Sequence, residues 1–180
     1  MSVSIRMMPH SDAERLLPAL SALLVDAVAH GASVNFMAGF TLTQAETYWQ
    51  KQIAGLAEHD RLWLVAEAEG EVIGTVMCVF ALQPNQPFRA DISKMLVHSS
   101  RRRQGIGALL LQAVEAAALA AGKTTLVLDT GEGSSGDRLY RRMGWTAIGT
   151  IPAYAYTTDG RPEGATFFYK QLAPTPVWKG

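Results

Sequence analysis

The sequence contains a single cysteine, Cys78, among its 180 residues. One cysteine excludes an intramolecular disulfide, and its apolar neighbours from Val76 to Phe80 favour a buried thiol over a reactive nucleophile. Proteins of oxidising compartments commonly use disulfides, so this shortage favours a cytoplasmic location. The N-terminus also lacks the basic stretch and following apolar stretch of a secretory signal. We therefore expect no targeting segment.

Long apolar runs and an excess of charge are missing as well. No segment approaches the roughly 20 apolar residues that cross a membrane, so no membrane role is expected. The 16 basic and 16 acidic side chains cancel, and the mean hydropathy is +0.08. A disordered polyelectrolyte is excluded, and a protein that coats nucleic acid through its overall field is disfavoured. The length favours one domain, which we place at residues 1–172, followed by a loosely held tail at 173–180.

The balanced total hides an uneven division of charge. Residues 1–90 hold 5 basic and 9 acidic side chains, whereas residues 91–180 hold 11 and 7. Positive potential is therefore concentrated in the second half of the chain. An anionic ligand is expected to bind there rather than in the acidic first half.

The order of predicted elements is typical of a mixed α/β domain. Apolar residues three and four positions apart predict a helix from Asp12 to near Gly31, and a capping box beginning at Thr43 predicts a second helix. Alternating β-formers joined through Glu69-Gly70 predict an antiparallel hairpin. In numbers, the predicted strands are 61–68, 71–82, 89–97, 125–129, 145–151 and 165–171, and the later helices are 106–121 and 134–143.

A basic, glycine-bearing turn, Arg101-Arg102-Arg103-Gln104-Gly105-Ile106-Gly107, joins strand 89–97 to the next helix. Helix N-termini offer unpaired backbone N–H groups and the positive end of a dipole, and glycines let a phosphate approach the backbone closely. Taken alone, the pattern leaves open a phosphate site or an ordinary solvated turn. It is not a Walker A loop, because no Gly-Lys-Ser/Thr follows. It is not a dinucleotide fingerprint, because Leu110 stands where the third glycine belongs.

This turn resembles the acetyl-CoA-binding motif of the GCN5-related N-acetyltransferases, the GNAT family. That motif reads Gln/Arg-x-x-Gly-x-Gly/Ala after the fourth strand, and Arg102, Gly105 and Gly107 stand at its defining positions. The run Leu139-Tyr140-Arg141-Arg142-Met143-Gly144-Trp145 is similar to a second family signature, Leu-Tyr-x-x-x-Gly-Phe, at the expected separation. The likeness covers roughly residues 3–172.

The resemblance implies an α/β (α+β) fold in a single domain. The expected sheet is mixed, mostly antiparallel and twisted, and helices flank it. Strands 4 and 5 are expected to splay apart and admit the pantetheine arm of acetyl-CoA. Members of the family are often dimers, so a homodimer is one expected assembly.

The resemblance also implies acetyl-CoA as co-substrate and no metal. Backbone N–H groups from 103 to 108 would bind the pyrophosphate, and the end of the fourth strand would pair with the pantetheine amides. Ser134 is included as a substitute contact, because Gly133 stands where relatives often have an asparagine. The implied cofactor-binding residues are Met95, Leu96, Val97, Arg102, Arg103, Gln104, Gly105, Ile106, Gly107, Ala108, Ser134 and Tyr140.

Two catalytic residues follow from the resemblance, each with a structural alternative. Tyr140 matches the tyrosine that protonates the departing thiolate, and its alternative is a core tyrosine. Asp91 lies where many relatives carry a general base, and its alternative is a surface carboxylate paired with Arg89 or Lys94. His98 and Glu132 are weaker candidates for the base.

The acceptor side is predicted from a likeness to the bacterial branch that contains the tabtoxin-resistance acetyltransferase, which suggests a small amine-bearing metabolite or toxin. Asn35 and Phe36 in one loop, with Tyr154 and Tyr156 in a later segment, would line the pocket. The later segment also reads as a plain turn at Asp159-Gly160 between two closing strands. The acidic first half would supply much of the acceptor side and fit a cationic amine.

The leading hypothesis is therefore direct transfer of an acetyl group from acetyl-CoA to the primary amine of a small molecule. One alternative is acetylation of protein or peptide amines. Another is an acyl-CoA-binding module without catalysis. No nucleic-acid partner is expected, because the cluster 101–103 lacks interleaved aromatics or a second basic stripe.

Overall fold

The computed structural model describes residues 2–177, and its strands form one seven-stranded sheet in the order β1-β2-β3-β4-β5-β7-β6. The strands are β1 Ser4–Met7, β2 Arg61–Ala68, β3 Glu71–Phe80, β4 Arg89–Val97, β5 Thr125–Gly131, β6 Thr146–Tyr156 and β7 Pro162–Gln171. The helices are α1 His10–Ala29, α2 Leu42–Ala57, α3 Ile106–Ala120 and α4 Ser135–Arg142, with a 3₁₀ turn at Ser99–Arg101.

Strand pairing confirms a mixed, mostly antiparallel sheet. Every neighbouring pair is antiparallel except β4 and β5, which run parallel. These two strands pair at only three positions, and the last joins Asp91 to Val127. Both strands continue beyond that point without pairing to each other, which agrees with the predicted splay.

Two apolar cores lie on the two faces of the sheet. One core packs α3 and Tyr140 of α4 against residues such as Ile92 of β4 and Leu128 of β5. The other packs α1 and α2 against residues such as Trp63 of β2 and Leu96 of β4. Both faces of the central strands are therefore covered. The break in the sheet lies where β4 and β5 stop pairing.

A bulge in β4 places its last residues. Ala90 and Ile92 belong to the core under α3, and strict alternation would send Leu96 to the same face. Leu96 instead packs in the core under α1 and α2. The register against β3 shifts between the Met77↔Ser93 pair and the Thr75↔Leu96 pair, and Lys94 adopts a φ of 49° there. One extra residue thus reverses the facing of the strand end.

The structure adds to the predicted elements and corrects some of their ends. The four-residue strand β1 was not predicted, because it is too short to show a periodic pattern. The closing hairpin is longer than predicted at both strands, β6 and β7, since their extensions alternate weakly and include Pro152 and Pro162. The strand predicted at 71–82 ends at Phe80 rather than at Leu82.

The fold does not test where the domain ends. The domain boundary at residue 172 stays a prediction, and residues 178–180 of the predicted tail lie outside the described residues. Within residues 2–177, no helix is long and apolar enough to span a bilayer.

Candidate active site

The turn after β4 forms an open N-terminus for α3. Gly105 caps the helix with a φ of 83°, a left-handed conformation that glycine adopts without a steric penalty. It has no side chain to bond the first N–H groups of α3. The N–H of Ala108 donates to the Gly105 carbonyl at 3.0 Å, which leaves the N–H groups of Ile106 and Gly107 available in this turn. A Cβ built on Gly105 would have no heavy atom within 4 Å. The site therefore has free donors and space for an anion, as a pyrophosphate requires.

Gly107 serves a different purpose in the same turn. A Cβ at this position would lie 3.1 Å from Cδ2 of Leu139, closer than ordinary packing. Leu139 belongs to α4 and precedes Tyr140. The second glycine therefore allows the start of α3 to approach α4, which brings the two family-like motifs together in space.

The turn is anchored to the C-terminal end of α1. Asp26 accepts hydrogen bonds from the backbone N–H of Ser99 at 2.8 Å and from its hydroxyl at 2.7 Å. Burial alone would raise the pKa of Asp26, but these hydrogen bonds bring it below the usual value. Arg102 donates from Nε to the carbonyl of Val97 at 3.3 Å and from Nη1 to that of His30 at 3.4 Å. Arg102 thus also braces the turn, and its contact with the pyrophosphate stays a prediction.

The other predicted cofactor residues occupy the turn and the splayed strand. Arg103 and Gln104 are exposed, and Arg103 has a φ of 61°. Leu96 and Val97 pair with β3, at Thr75 and Gly74, and pair with no residue of β5 in the described chain. Their strand therefore has one edge open towards the gap. Met95 lies near the end of β4, and Ile106 and Ala108 lie in the first turn of α3.

Ser134 caps α4 rather than standing free. Its hydroxyl accepts a hydrogen bond from the backbone N–H of Asp137 at 3.1 Å and lies 3.2 Å from the hydroxyl of Thr130. Asp137 is buried and accepts from the backbone N–H of Gly133 at 2.8 Å. The hydroxyl of Ser134 therefore orients α4, and its expected contact with the cofactor stays a prediction.

Tyr140 has features of both interpretations made from the sequence. Its side chain is 6% exposed, and its ring centroid lies 5.7 Å from that of Trp145 and 5.8 Å from that of Phe168. Burial, helped by the charge of Asp129, raises the pKa of Tyr140 above its usual value. Among residues 2–177 its hydroxyl has no hydrogen-bond partner. The tyrosine is thus held by the core in its protonated form, with its proton available.

Asp91 matches the structural alternative more closely than the catalytic one. Arg89 lies 3.0 Å from its carboxylate, and the Asp91 side chain is 47% exposed. Its position is nonetheless the last pair before β4 leaves β5. Of the weaker candidates, His98 contacts the Ser100 hydroxyl at 2.9 Å, and Glu132 is exposed beyond β5.

Sequence reasoning missed two charged residues at the splay, Asp129 and Lys94. Asp129 is open to solvent on β5, yet desolvation by the surrounding protein raises the pKa of its carboxyl, an effect that Lys94 partly opposes. Burial lowers the pKa of Lys94 to about 8. A charged residue directly after the apolar run 126–128 of a predicted strand was the signal that could have identified Asp129.

The acceptor residues predicted from the sequence separate into two groups. Asn35 and Phe36 line a cavity of about 560 Å³ between the loop after α1 and one side of α2. Tyr154 and Tyr156 lie on β6, are largely exposed, and are not among the residues that line this cavity. A hydrogen bond of 2.9 Å from the backbone N–H of Ala38 to the carbonyl of Thr158 joins the loop to the β6–β7 turn.

Comparison with known proteins identifies the family. The model of the GNAT family of acetyltransferases matches residues 29–145, more than half of the chain. The chain belongs to the GNAT family. It is therefore an acyltransferase, and acetyl-CoA is its co-substrate.

Solved structures of this family share the fold over nearly the whole chain. A ribosomal-protein-alanine N-acetyltransferase from Brucella melitensis is 26% identical, with a TM-score of 0.76 and coverage of 94% of this chain and 99% of that one. A phosphinothricin acetyltransferase from Sinorhizobium meliloti, in complex with acetyl-CoA, is 20% identical, with a TM-score of 0.80 and coverage of 96% and 89%. An N-acetyltransferase from Staphylococcus aureus Mu50 is 22% identical, with a TM-score of 0.77 and coverage of 96% and 100%.

The donor set of the site suits acetyl-CoA. The open cap at Gly105 and the free edge of β4 offer backbone donors and acceptors to a phosphate and to amides. Within the described part of the chain, no group of three or more His, Cys, Asp or Glu side chains is placed to hold a metal ion.

Replacing Gly105 with alanine should weaken acetyl-CoA binding about tenfold, because a Cβ would occupy the anion cradle. The matched control is Gly122→Ala at the other end of α3, where φ is 76° and a Cβ also meets nothing within 4 Å. Both variants should lose roughly 1–2 kcal/mol of unfolding free energy through left-handed strain. Calorimetry and denaturant unfolding measure the two effects. Equal loss of affinity in both variants would show that the cap does not bind the cofactor.

Proposed function

We propose that this protein transfers the acetyl group of acetyl-CoA directly to the primary amine of a small molecule. The observation that carries the proposal is the gap between β4 and β5. The open cap of α3 lies at the end of β4, and Asp129 and Lys94 lie on the strands that border the gap. Asp129 is also close enough to raise the pKa of Tyr140. The proposal thus brings together the acetyl donor, a proton acceptor in Asp129 and a proton donor in Tyr140.

Cofactor binding in this proposal uses the backbone. The free N–H groups at 104–107 bind the pyrophosphate, helped by the positive end of the α3 dipole. The open edge of β4 at Met95, Leu96 and Val97 pairs with the pantetheine amides as an added strand. Bound acetyl-CoA then supplies the thioester whose carbonyl carbon the amine attacks. A backbone N–H at this edge polarises the carbonyl oxygen.

Proton transfer in this proposal uses two side chains, Asp129 on β5 and Tyr140 on α4. An acceptor ammonium must lose a proton before its nitrogen can attack. Asp129 suits this step because desolvation raises its pKa towards the working pH while the carboxylate stays accessible. Tyr140 is protonated and donates its proton to the departing thiolate. The amide product and free coenzyme A then leave without a covalent enzyme intermediate.

A small acceptor is favoured by the cavity beside the loop after α1. This loop is tied at Ala38 to the β6–β7 turn and at Val34 to Lys94. Aromatic rings of Phe36, Phe40 and Tyr48 line the cavity, whose volume is about 560 Å³. A cavity of this size suits a small amine better than it suits a folded protein surface. Relationship to the tabtoxin-resistance branch, a homodimer and a cytoplasmic location stay predictions.

Acetylation of a protein or peptide amine is the second candidate. It is favoured by the relative from Brucella melitensis, whose name is that of a ribosomal-protein-alanine N-acetyltransferase. A peptide acceptor would need to extend past the loop at residues 35–40 along the exposed face of β6, where Tyr154 and Tyr156 lie.

A panel of small amines and of peptides with free N-termini, assayed by thiol release from acetyl-CoA, tests the proposal. We expect turnover with at least one small amine and acetyl-CoA binding by calorimetry. Turnover of peptides alone would favour the second candidate. Binding of acetyl-CoA without turnover of any acceptor would contradict both.

Replacing Tyr140 with phenylalanine should lower kcat about 100-fold, because general acid catalysis contributes roughly 10²–10⁴-fold. The dissociation constant of acetyl-CoA should stay within about twofold, since the phenyl ring keeps the packing against Trp145 and Phe168. Tyr169→Phe on β7, where the side chain is partly exposed, is the matched control and should leave kcat unchanged. Unchanged kcat in the Tyr140 variant would remove the hydroxyl from the mechanism.

Asp129→Asn and Asp91→Asn distinguish the two carboxylates as bases. A base works when deprotonated, so kcat/KM should rise with pH through the raised pKa of Asp129. We expect Asp129→Asn to lose about 100-fold in kcat/KM together with this acidic limb. The Asp91 variant should keep both the rate and the limb. The reverse result would assign the base to Asp91.

A further inference from the structure

Lys94 has an unusual place in the fold. It lies at the bulge of β4 with a φ of 49°, a left-handed conformation that costs a residue with a Cβ some conformational energy. The bulge comes three residues after Asp91, where β4 stops pairing with β5. Such strain persists only where surrounding contacts fix the residue, and it is often found at functional sites.

The side chain of Lys94 contacts α2 and the loop at residues 30–41, which bears Asn35 and Phe36. Its Nζ donates a hydrogen bond of 3.1 Å to the backbone carbonyl of Val34. The same Nζ lies 5.6 Å from the ring centroid of Phe36 and 5.3 Å from that of Tyr48. Both distances suit cation–π attraction, and both rings line the cavity beside the loop.

The loop packs through apolar side chains but has few polar attachments near its middle. Val34 and Phe36 pack against the core under α1 and α2, and the Phe36 ring centroid lies 5.2 Å from that of Tyr48. Residues 30–41 contain no helix or strand, and Asn35 adopts a φ of 73°. On the far side, Ala38 is held by the carbonyl of Thr158 at 2.9 Å. Lys94 therefore supplies the contact from the central sheet, and Thr158 supplies the contact from the closing hairpin.

The charge of Asp129 helps to stabilise the partly buried ammonium of Lys94. Asp129 on β5 stabilises the charged form of Lys94, and Lys94 in turn stabilises the carboxylate of Asp129. The lysine thus contacts the loop at residues 30–41 and at the same time acts on the carboxylate of Asp129.

We propose that Lys94 is a positioning residue for the acceptor: it holds the loop bearing Asn35 and Phe36 over the gap between β4 and β5. Its loss should free the loop and impair acceptor binding while leaving the acetyl-CoA site intact. The catalytic part of this inference rests on the proposed function, but the loop contact can be measured without turnover.

The test compares Lys94→Met with Lys123→Met in the full-length protein. Lys123 makes the same two kinds of contact elsewhere, a hydrogen bond of 2.7 Å to the carbonyl of Pro87 and a position 4.3 Å from the Phe80 ring centroid. It lies just before β5, at the end where β5 pairs with β4. The matched pair therefore separates the loss of any lysine with these two kinds of contact from the loss of Lys94.

Hydrogen–deuterium exchange of residues 32–40 in the free protein is the first measurement. We expect roughly tenfold faster exchange in Lys94→Met, the size expected for one lost charge-assisted hydrogen bond, and wild-type exchange in Lys123→Met. Exchange equal to wild type in the Lys94 variant would overturn the inference. If the methionine variant does not fold, Lys94→Gln takes its place in the same comparison.

Kinetics with an acceptor found in the amine panel are the second measurement. We expect the KM for the acceptor to rise about tenfold in Lys94→Met, with acetyl-CoA affinity within about twofold of wild type. Lys94→Arg, which keeps a cation and a donor, should recover part of the loss. Faster loop exchange with an unchanged acceptor KM would overturn the positioning role. If wild type turns over no amine, the proposed function fails, and the exchange result alone still decides whether Lys94 holds the loop.

Discussion

The early end of pairing between β4 and β5 is the constraint on which the rest of the site depends. Parallel strands that stop bonding after Asp91 and Val127 leave backbone N–H and C=O groups in the middle of an otherwise covered sheet. Such groups are costly when they are buried without partners. A ligand that offers amides, such as pantetheine, would satisfy them by joining the sheet. The proposed cofactor site thus uses an incomplete sheet as its binding surface.

Three left-handed residues turn this strand end into a site. Lys94 at the bulge, Arg103 in the turn and Gly105 at the helix cap all have positive φ values within twelve residues of chain. The bulge reverses which side chains face α1 and α2. The turn and cap then aim the N-terminus of α3 at the strand end. Asp26 stabilises the geometry from α1 through two hydrogen bonds to Ser99, so the outer helix and the cofactor turn are mechanically joined.

Charge is arranged differently in space than along the chain. The acidic first half was expected to form the acceptor side, yet the charged residue that lines the cavity is Lys51, and Lys94 lies behind its aromatic wall. The carboxylate proposed as the base, Asp129, comes from the basic second half. Chain halves do not correspond to the two sides of the gap, because β5 and the part of β4 from Asp91 onward both belong to the second half.

The sequence by itself determined the family, the order of most elements and the glycine-bearing turn, because these depend on local spacing and backbone conformation. It also predicted Tyr140 as a catalytic residue. Periodicity located strand 89–97 at the residues where the structure has it. Only the tertiary structure decided that Lys94 contacts Val34 and that Asp129 comes near enough to affect the pKa of both Lys94 and Tyr140. Those contacts depend on a bulge defined by the register with β3, which residues on β4 alone do not reveal. The tertiary structure likewise showed that the hydroxyl of Ser134 caps α4.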